Sequence, residues 1–184
     1  MAKDYFPLKE NTRYEYSYKS TEFDKEAQVY IDILKVVKKK DKTVAKVKMT
    51  FVLRVTNVVE YEIKKDKKWV ITGDGIVIGG RKEFPIPPKE GLKWNEYQDG
   101  HEIVSMTDKL SIKAGKFANC LKVLTRIAGG DAGIAVRYYA PGVGYVFEDY
   151  NAEDKTCKVE LVSISTIKPE DKKRSKKENE ERND

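Results

Sequence analysis

The chain has 184 residues, 36 Lys or Arg against 30 Asp or Glu, a net charge of +6 and a mean hydropathy of −0.64. That length suits one domain burying roughly 70% of the surface its unfolded chain exposes, and no apolar run approaches the ~18 residues of a membrane-spanning helix. Cys120 and Cys157 are the only cysteines, too few for a disulfide framework and without zinc-site spacing. They are expected as free thiols, pairing only if their strands are neighbours in an oxidising compartment.

In chain order, Tyr14, Tyr16 and Tyr18 alternate on a first strand, a stripe that suits a barrel wall better than a stacking platform for bases or sugars. Val29, Ile31 and Ile33 continue the period of two. A lysine turn follows at 38–42. The clearest alternation is Ala45, Val47, Met49, Phe51, Leu53 and Val55 against Lys46, Lys48, Thr50 and Arg54, which places one face on a core and the other in water. Such a long strand must twist, which favours a strongly curved sheet. After a turn at Thr56-Asn57 come Val59, Tyr61 and Ile63, then a second lysine turn at 64–68. Gly73–Gly80 reads as a tight turn, a short apolar strand at Ile76–Ile78 and a flexible corner. It lacks the direct lead into a helix that a phosphate-binding loop needs. Phe84-Pro85-Ile86-Pro87-Pro88 is extended and incompatible with a central strand, so it reads as a crossover or lid.

The single histidine, His101, beside Gly100 and Glu102, is expected to be exposed and incidental. From Ile112 to Tyr150 three strands are divided by glycine turns, with core faces read as Leu121, Val123, Thr125 and Ile127, then Val143, Tyr145 and Phe147. Ala140-Pro141-Gly142-Val143 is a type II corner with Gly142 at positive φ. Asp149, Asn151 and Glu153 resemble part of a calcium loop, but Asp154 stands where the sharp turn needs glycine, so a solvated hairpin is expected. Residues 168–184, with seven basic and six acidic side chains, are expected to form a disordered charged tail.

These patterns predict an all-β protein. A strongly curved antiparallel meander sheet over residues 1–167 forms an open or partly closed barrel with little or no helix. In a meander successive turns alternate between ends, so Lys38, Lys39, Lys40, Lys42, Lys64, Lys65, Lys67 and Lys68 should share one basic end, able to bind anions or simply to oppose edge aggregation. No serine sits in a nucleophile elbow, no histidine pair offers a metal site, and neither a cofactor nor catalysis is expected.

Ala114-Gly115-Lys116-Phe117-Ala118-Asn119-Cys120 followed by Tyr138-Tyr139-Ala140-Pro141-Gly142-Val143-Gly144, with Tyr5-Phe6-Pro7-Leu8, Tyr14, Tyr16 and the mid-chain Gly91-Leu92-Lys93-Trp94, resembles a family of bacterial cell-envelope proteins of unassigned function, many described as candidate lipoproteins. These landmarks span about residues 4–167. The chain departs from the family pattern in having Asn11 and Tyr14 near the place of the usual glycine and tryptophan of the opening strand, and no lipid-attachment cysteine precedes it. The resemblance implies β-rich, open or partly closed barrels comparable with lipoprotein carriers. It implies an envelope location; the absence of an apolar segment at Met1–Asp4 leaves a removed signal segment or a cytoplasmic location as the two alternatives.

Three functional expectations follow. The first is a non-enzymatic envelope β-domain that binds an apolar or lipid ligand or an envelope protein. The second is a structural or protein-interaction module with a filled core, and the third is phosphate or nucleic-acid binding through the basic end, nucleic acid being disfavoured.

Overall fold

A computed structural model describes residues 3–130 and 132–168. Twelve strands form one antiparallel sheet: β1 (Thr12–Ser20), β2 (Ala27–Lys38), β3 (Lys42–Val52), β4 (Thr56–Asp66), β5 (Trp69–Thr72), β6 (Arg81–Pro85), β7 (Lys93–Glu96), β8 (Asp99–Ile112), β9 (Gly115–Ile127), β10 (Gly133–Ala140), β11 (Gly144–Ala152) and β12 (Thr156–Thr166). The described residues contain no helix. The expected tail lies, Lys168 apart, outside the described residues.

The strand order β6-β5-β4-β3-β2-β1-β12-β11-β10-β9-β8-β7 is two six-strand meanders joined where the first and last strands pair, Tyr16 opposite Leu161 and Tyr18 opposite Val159. The sheet is a nearly closed barrel with one unsealed seam, between β6 and β7. This is the expected curved meander, brought nearly full circle by the β1–β12 pairing. The proline-rich stretch sits at the seam: Pro85 ends edge strand β6, where its missing N–H costs no ladder bond, and residues 86–92 cross to β7. Two contacts bridge the gap. The Lys82 backbone N–H donates to the Glu96 carboxylate at 2.9 and 3.2 Å, and the Trp69 and Trp94 rings meet edge-on at 5.9 Å.

The core is the barrel interior. Tyr14, Tyr16 and Tyr18 are all buried there, as are Val29, Ile33, Ala45, Val47, Met49, Ile63, Leu121, Val123, Val159 and Leu161. The tyrosine stripe is therefore wall, with the Tyr16 hydroxyl donating to the Tyr145 carbonyl at 2.9 Å. Phe51 is half-buried rather than central; it packs edge-on against Tyr18 at 5.4 Å. Val59 is exposed because β5 pairs with β4 only over Ile63–Lys65, which leaves that part of β4 without a neighbour on one side.

Two local readings are corrected. Ile76–Ile78 is part of a loop between β5 and β6, its isoleucines tucked against the core, and not a strand. Around the start of β11 the expected inward face holds for Val143 and Tyr145, which line an interior cavity, but not for Phe147, beyond which Glu148 and Tyr150 are the buried residues. The ladder skips a residue between Tyr138↔Phe147 and Tyr139↔Tyr145, and such a bulge switches parity along the strand. It leaves Tyr145 and Glu148 within reach of each other, while Phe147 packs on Tyr138 at 5.9 Å. The Pro141-Gly142 corner is as expected: Val143 N–H donates to Ala140 O at 3.1 Å and Gly142 has φ +74°.

The turns β2–β3, β4–β5 and β10–β11, with the β6–β7 crossover, fall at one end of the barrel. Those joining β1–β2, β3–β4, β5–β6, β7–β8 and β11–β12 fall at the other. The opening segment crosses the first end, where Asp4 O accepts from Gly142 N–H at 2.7 Å and Asp4 Oδ1 meets Lys65 Nζ at 2.6 Å.

Candidate functional site

Alternation along three strands sends charge inward. Arg81 and Glu83 share a face of β6, Arg137 and Tyr139 share one of β10, and the β11 bulge brings Tyr145 and Glu148 to the same interior. Arg137 and Glu148 are each 1% exposed. Arg81 donates two parallel bonds to Glu148, Nη1 to Oε1 at 3.1 Å and Nη2 to Oε2 at 2.9 Å, and its Nε reaches both Glu83 oxygens at 3.1 Å. Arg137 Nη1 reaches Glu83 Oε2 at 3.3 Å. The Thr72 hydroxyl donates to Glu83 Oε1 at 2.8 Å, the Tyr139 hydroxyl donates to Glu83 Oε2, and the Tyr145 hydroxyl donates to Glu148 Oε2 at 2.6 Å. Two arginines and two glutamates cancel, so the interior holds four ions with no net charge. Such a set is tolerable out of water only because nearly every lone pair and proton is matched.

Burial pushes the Glu83 carboxyl up, but Arg81, Arg137 and the donors Tyr139 and Thr72 outweigh it and hold it below the usual carboxylate range. Burial likewise opposes the Arg81 charge, and Glu148 and Glu83 overcome it. The Tyr139 and Tyr145 hydroxyls are pushed well up, first by burial. They are donors fixed to carboxylates, not poised acids.

His101 corrects the expectation of an exposed, incidental residue. It is buried, stacked on Trp94 at 5.2 Å and 19°, because β8 places it on the inner face opposite Thr125. Its Nδ1 lies 2.8 Å from Thr125 Oγ1 and 3.3 Å from Arg137 Nη2, which also donates to Thr125 Oγ1 at 3.2 Å. A guanidinium only donates, so Nδ1 must accept and the proton of the neutral ring sits on Nε2. Burial, then the Arg137 charge, lowers the pKa to about 4. Arg137 Nε and Trp94 Nε1 are buried without an acceptor among the described residues.

Around this network two small cavities remain. One, of about 50 Å³, is lined by Phe6, Tyr14, Tyr16, Tyr61, Ile76 and Arg81 among others; a second, of about 70 Å³, lies against Gly80, Tyr97, His101, Thr125, Arg137 and Glu148. Arg81 lines both. The network therefore acts as a cross-brace, tying edge strand β6 at the seam to β10 and β11 across the interior. Sequence reasoning missed these four ions because a charged side chain in an alternating strand reads as outward-facing. The available signal was parity: Arg137 stands between Ala135 and Tyr139, and Glu148 between Val146 and Tyr150, on the buried faces.

The structure brings the two lysine turns to one end of the barrel. Lys38, Lys39, Lys40, Lys42, Lys65 and Lys67 line one open cleft of about 460 Å³ with Asp4, Pro7, Leu8 and Asp41, while Lys64 and Lys68 lie outside that lining. Lys65 is paired with Asp4, Lys67 with Asp41 at 2.6 Å and Lys64 with Glu62 at 3.5 Å. Asp66 Oδ1 accepts the Lys68 and Trp69 backbone N–H groups, whose bonds hold its carboxyl below the usual range. Cys120 and Cys157 are buried free thiols whose pKa burial raises to about 11.

No protein-family profile and no curated protein matches the chain. Two solved structures share its fold. One is a "putative exported protein with YmcC-like fold" from Bacteroides fragilis, 16% identical, TM-score 0.67, over 89% of this chain and 100% of that one. The other is a "putative lipoprotein" from Parabacteroides distasonis, 12% identical, TM-score 0.60, over 90% of this chain and 100% of that one.

Proposed function

We propose that this chain is a non-enzymatic module of the bacterial cell envelope that acts through its outer surface, docking on an envelope partner, and does not carry a lipid inside its barrel. The observation that carries this reading is the occupied interior. Ligand pockets for drug-sized molecules run from about 300 Å³ upward, whereas the spaces beside the cross-brace measure about 50 and 70 Å³. Admitting an acyl chain would mean displacing Arg81 or Arg137 from its carboxylates, leaving buried charges unpaired at a cost of several kcal/mol each. The envelope location draws support from the two fold neighbours described as exported protein and lipoprotein. The non-enzymatic reading draws support from the interior acids and bases, which are engaged with one another.

Titration with N-phenyl-1-naphthylamine, a neutral apolar fluorophore, tests the reading. No saturable enhancement at micromolar protein is expected. A stoichiometric site displaced by fatty acid would overturn it in favour of a carrier.

A further inference from the structure

Charge is sorted along the barrel axis. The end bearing the β2–β3 and β4–β5 turns carries Lys38, Lys39, Lys40, Lys42, Lys64, Lys65, Lys67 and Lys68 against Asp4, Asp41 and Asp66, a local excess of +5. The opposite end carries Glu22, Asp24, Glu26, Asp74, Asp99, Glu153 and Asp154 against Lys25, Arg54, Lys155 and the two lysines that pair with Glu26, Lys19 and Lys113, an excess of −2. Lys38, Lys39, Lys40, Lys42 and Lys68 are exposed and have no carboxylate partner among the described residues, while the acids nearest the cleft are already engaged by Lys65, Lys67 and backbone N–H groups. An exposed valine, Val37, and Leu8 stand beside the free lysines. The segment Asp4–Leu8 crosses this end, and Ile167, just past the last strand, lies there too, its N–H on Asn11 O at 2.9 Å.

We infer that the basic end is a docking face for an anionic lipid surface, on which the barrel stands end-on with its acidic turns pointing away. A flat sheet of headgroup phosphates matches a cluster of exposed ammonium groups on two turns, because lysine binds phosphate as a point charge and needs no fixed angle. The axial charge separation supplies orientation, since the same field that attracts one end repels the other. A nucleic-acid duplex would be served better by a groove or stripe with arginine forks or aromatic platforms, and the described cleft contains neither. The inference rests on the envelope reading only for the presence of a bilayer. Vesicle binding is measured on purified protein, so its failure would leave the filled-interior reading untouched.

The test is co-sedimentation with vesicles of 40 mol% phosphatidylglycerol in phosphatidylcholine, against pure phosphatidylcholine, at low and high salt, with a single-stranded oligonucleotide as competitor. Binding should require phosphatidylglycerol and fall steeply with salt. Each lysine near such a surface contributes about fivefold in partitioning, so the combined K38Q/K39Q/K40Q/K42Q variant should bind at least tenfold more weakly at an unchanged melting temperature. The wall variant K46Q/K48Q should bind at least threefold more tightly than the turn variant. Equal binding to pure phosphatidylcholine, equal loss in the two variants, or binding to the oligonucleotide but not to vesicles would each overturn the inference.

Discussion

Replacing Glu148 by glutamine keeps its shape and removes its charge. The carboxylate takes two bonds from Arg81, at 3.1 and 2.9 Å, and one from Tyr145 at 2.6 Å. In Glu148→Gln one of those acceptors becomes an NH₂ donor facing an Arg81 N–H, whichever oxygen it replaces, and Arg81 and Arg137 are left sharing Glu83 alone, so the interior carries +1. Breaking a buried pair on one side costs roughly 3–5 kcal/mol, and the glutamine still offers one acceptor, so we take about 3 kcal/mol. At this chain length a loss of 1 kcal/mol lowers the melting temperature by about 2–4 °C, which gives a drop of about 6–12 °C. Urea unfolding followed by circular dichroism measures it. Adding Arg81→Met restores neutrality, so the double variant should be less destabilised than the sum of the single ones by at least about 1 kcal/mol. A loss below about 1 kcal/mol in Glu148→Gln would mean that water solvates Arg81, and the picture of a filled interior would fail.

The pKa of His101 is depressed from 6.5 to about 4. Between those values the unfolded chain binds the proton and the fold does not, so stability should fall as pH drops from 6.5 to 4 and be flat above 7. After allowing for screening near the seam this amounts to about 2 kcal/mol. His101→Gln should remove that slope, and an unchanged slope would place His101 in water. Phe51→Ala should cost about 2 kcal/mol, less than a fully buried phenylalanine, since the ring is half-buried on Tyr18; a loss above about 4 kcal/mol by urea titration would put it in the centre. Gly142→Val should destabilise more than Gly142→Asn, because at φ +74° the strain is in the backbone and no neighbour lies within 4 Å of an added Cβ; equal losses would reject the turn. Native protein at pH 8 should react with Ellman's reagent far more slowly than unfolded protein, which exposes both thiols; equal rates would place the thiols at the surface.

Some of this was legible in the residues. Ala45, Val47 and Met49 alternate against Lys46 and Lys48 because β3 has one dry and one wet face, and that contrast is what period-two reading detects. The shared end of the lysine turns followed from meander geometry alone. What failed did so for local reasons. A bulge in β11 changes which residues face inward without leaving a mark in hydrophobicity. Gly73–Gly80 holds apolar side chains that pack as a loop, and composition cannot tell that from a short strand. Arg81, Glu83, Arg137 and Glu148 were hidden because their burial depends on partners from strands as far apart as β6 and β11, a contact no single-strand pattern encodes.

Native mass spectrometry of the protein purified from its own host without refolding tests the filled barrel most directly. The account predicts the mass of the bare chain, with any covalent modification but no retained lipid, under conditions gentle enough to preserve non-covalent complexes. A reproducible adduct of one acyl-lipid mass, lost in a variant that enlarges Ala135 or Ala45 toward the interior, would contradict it.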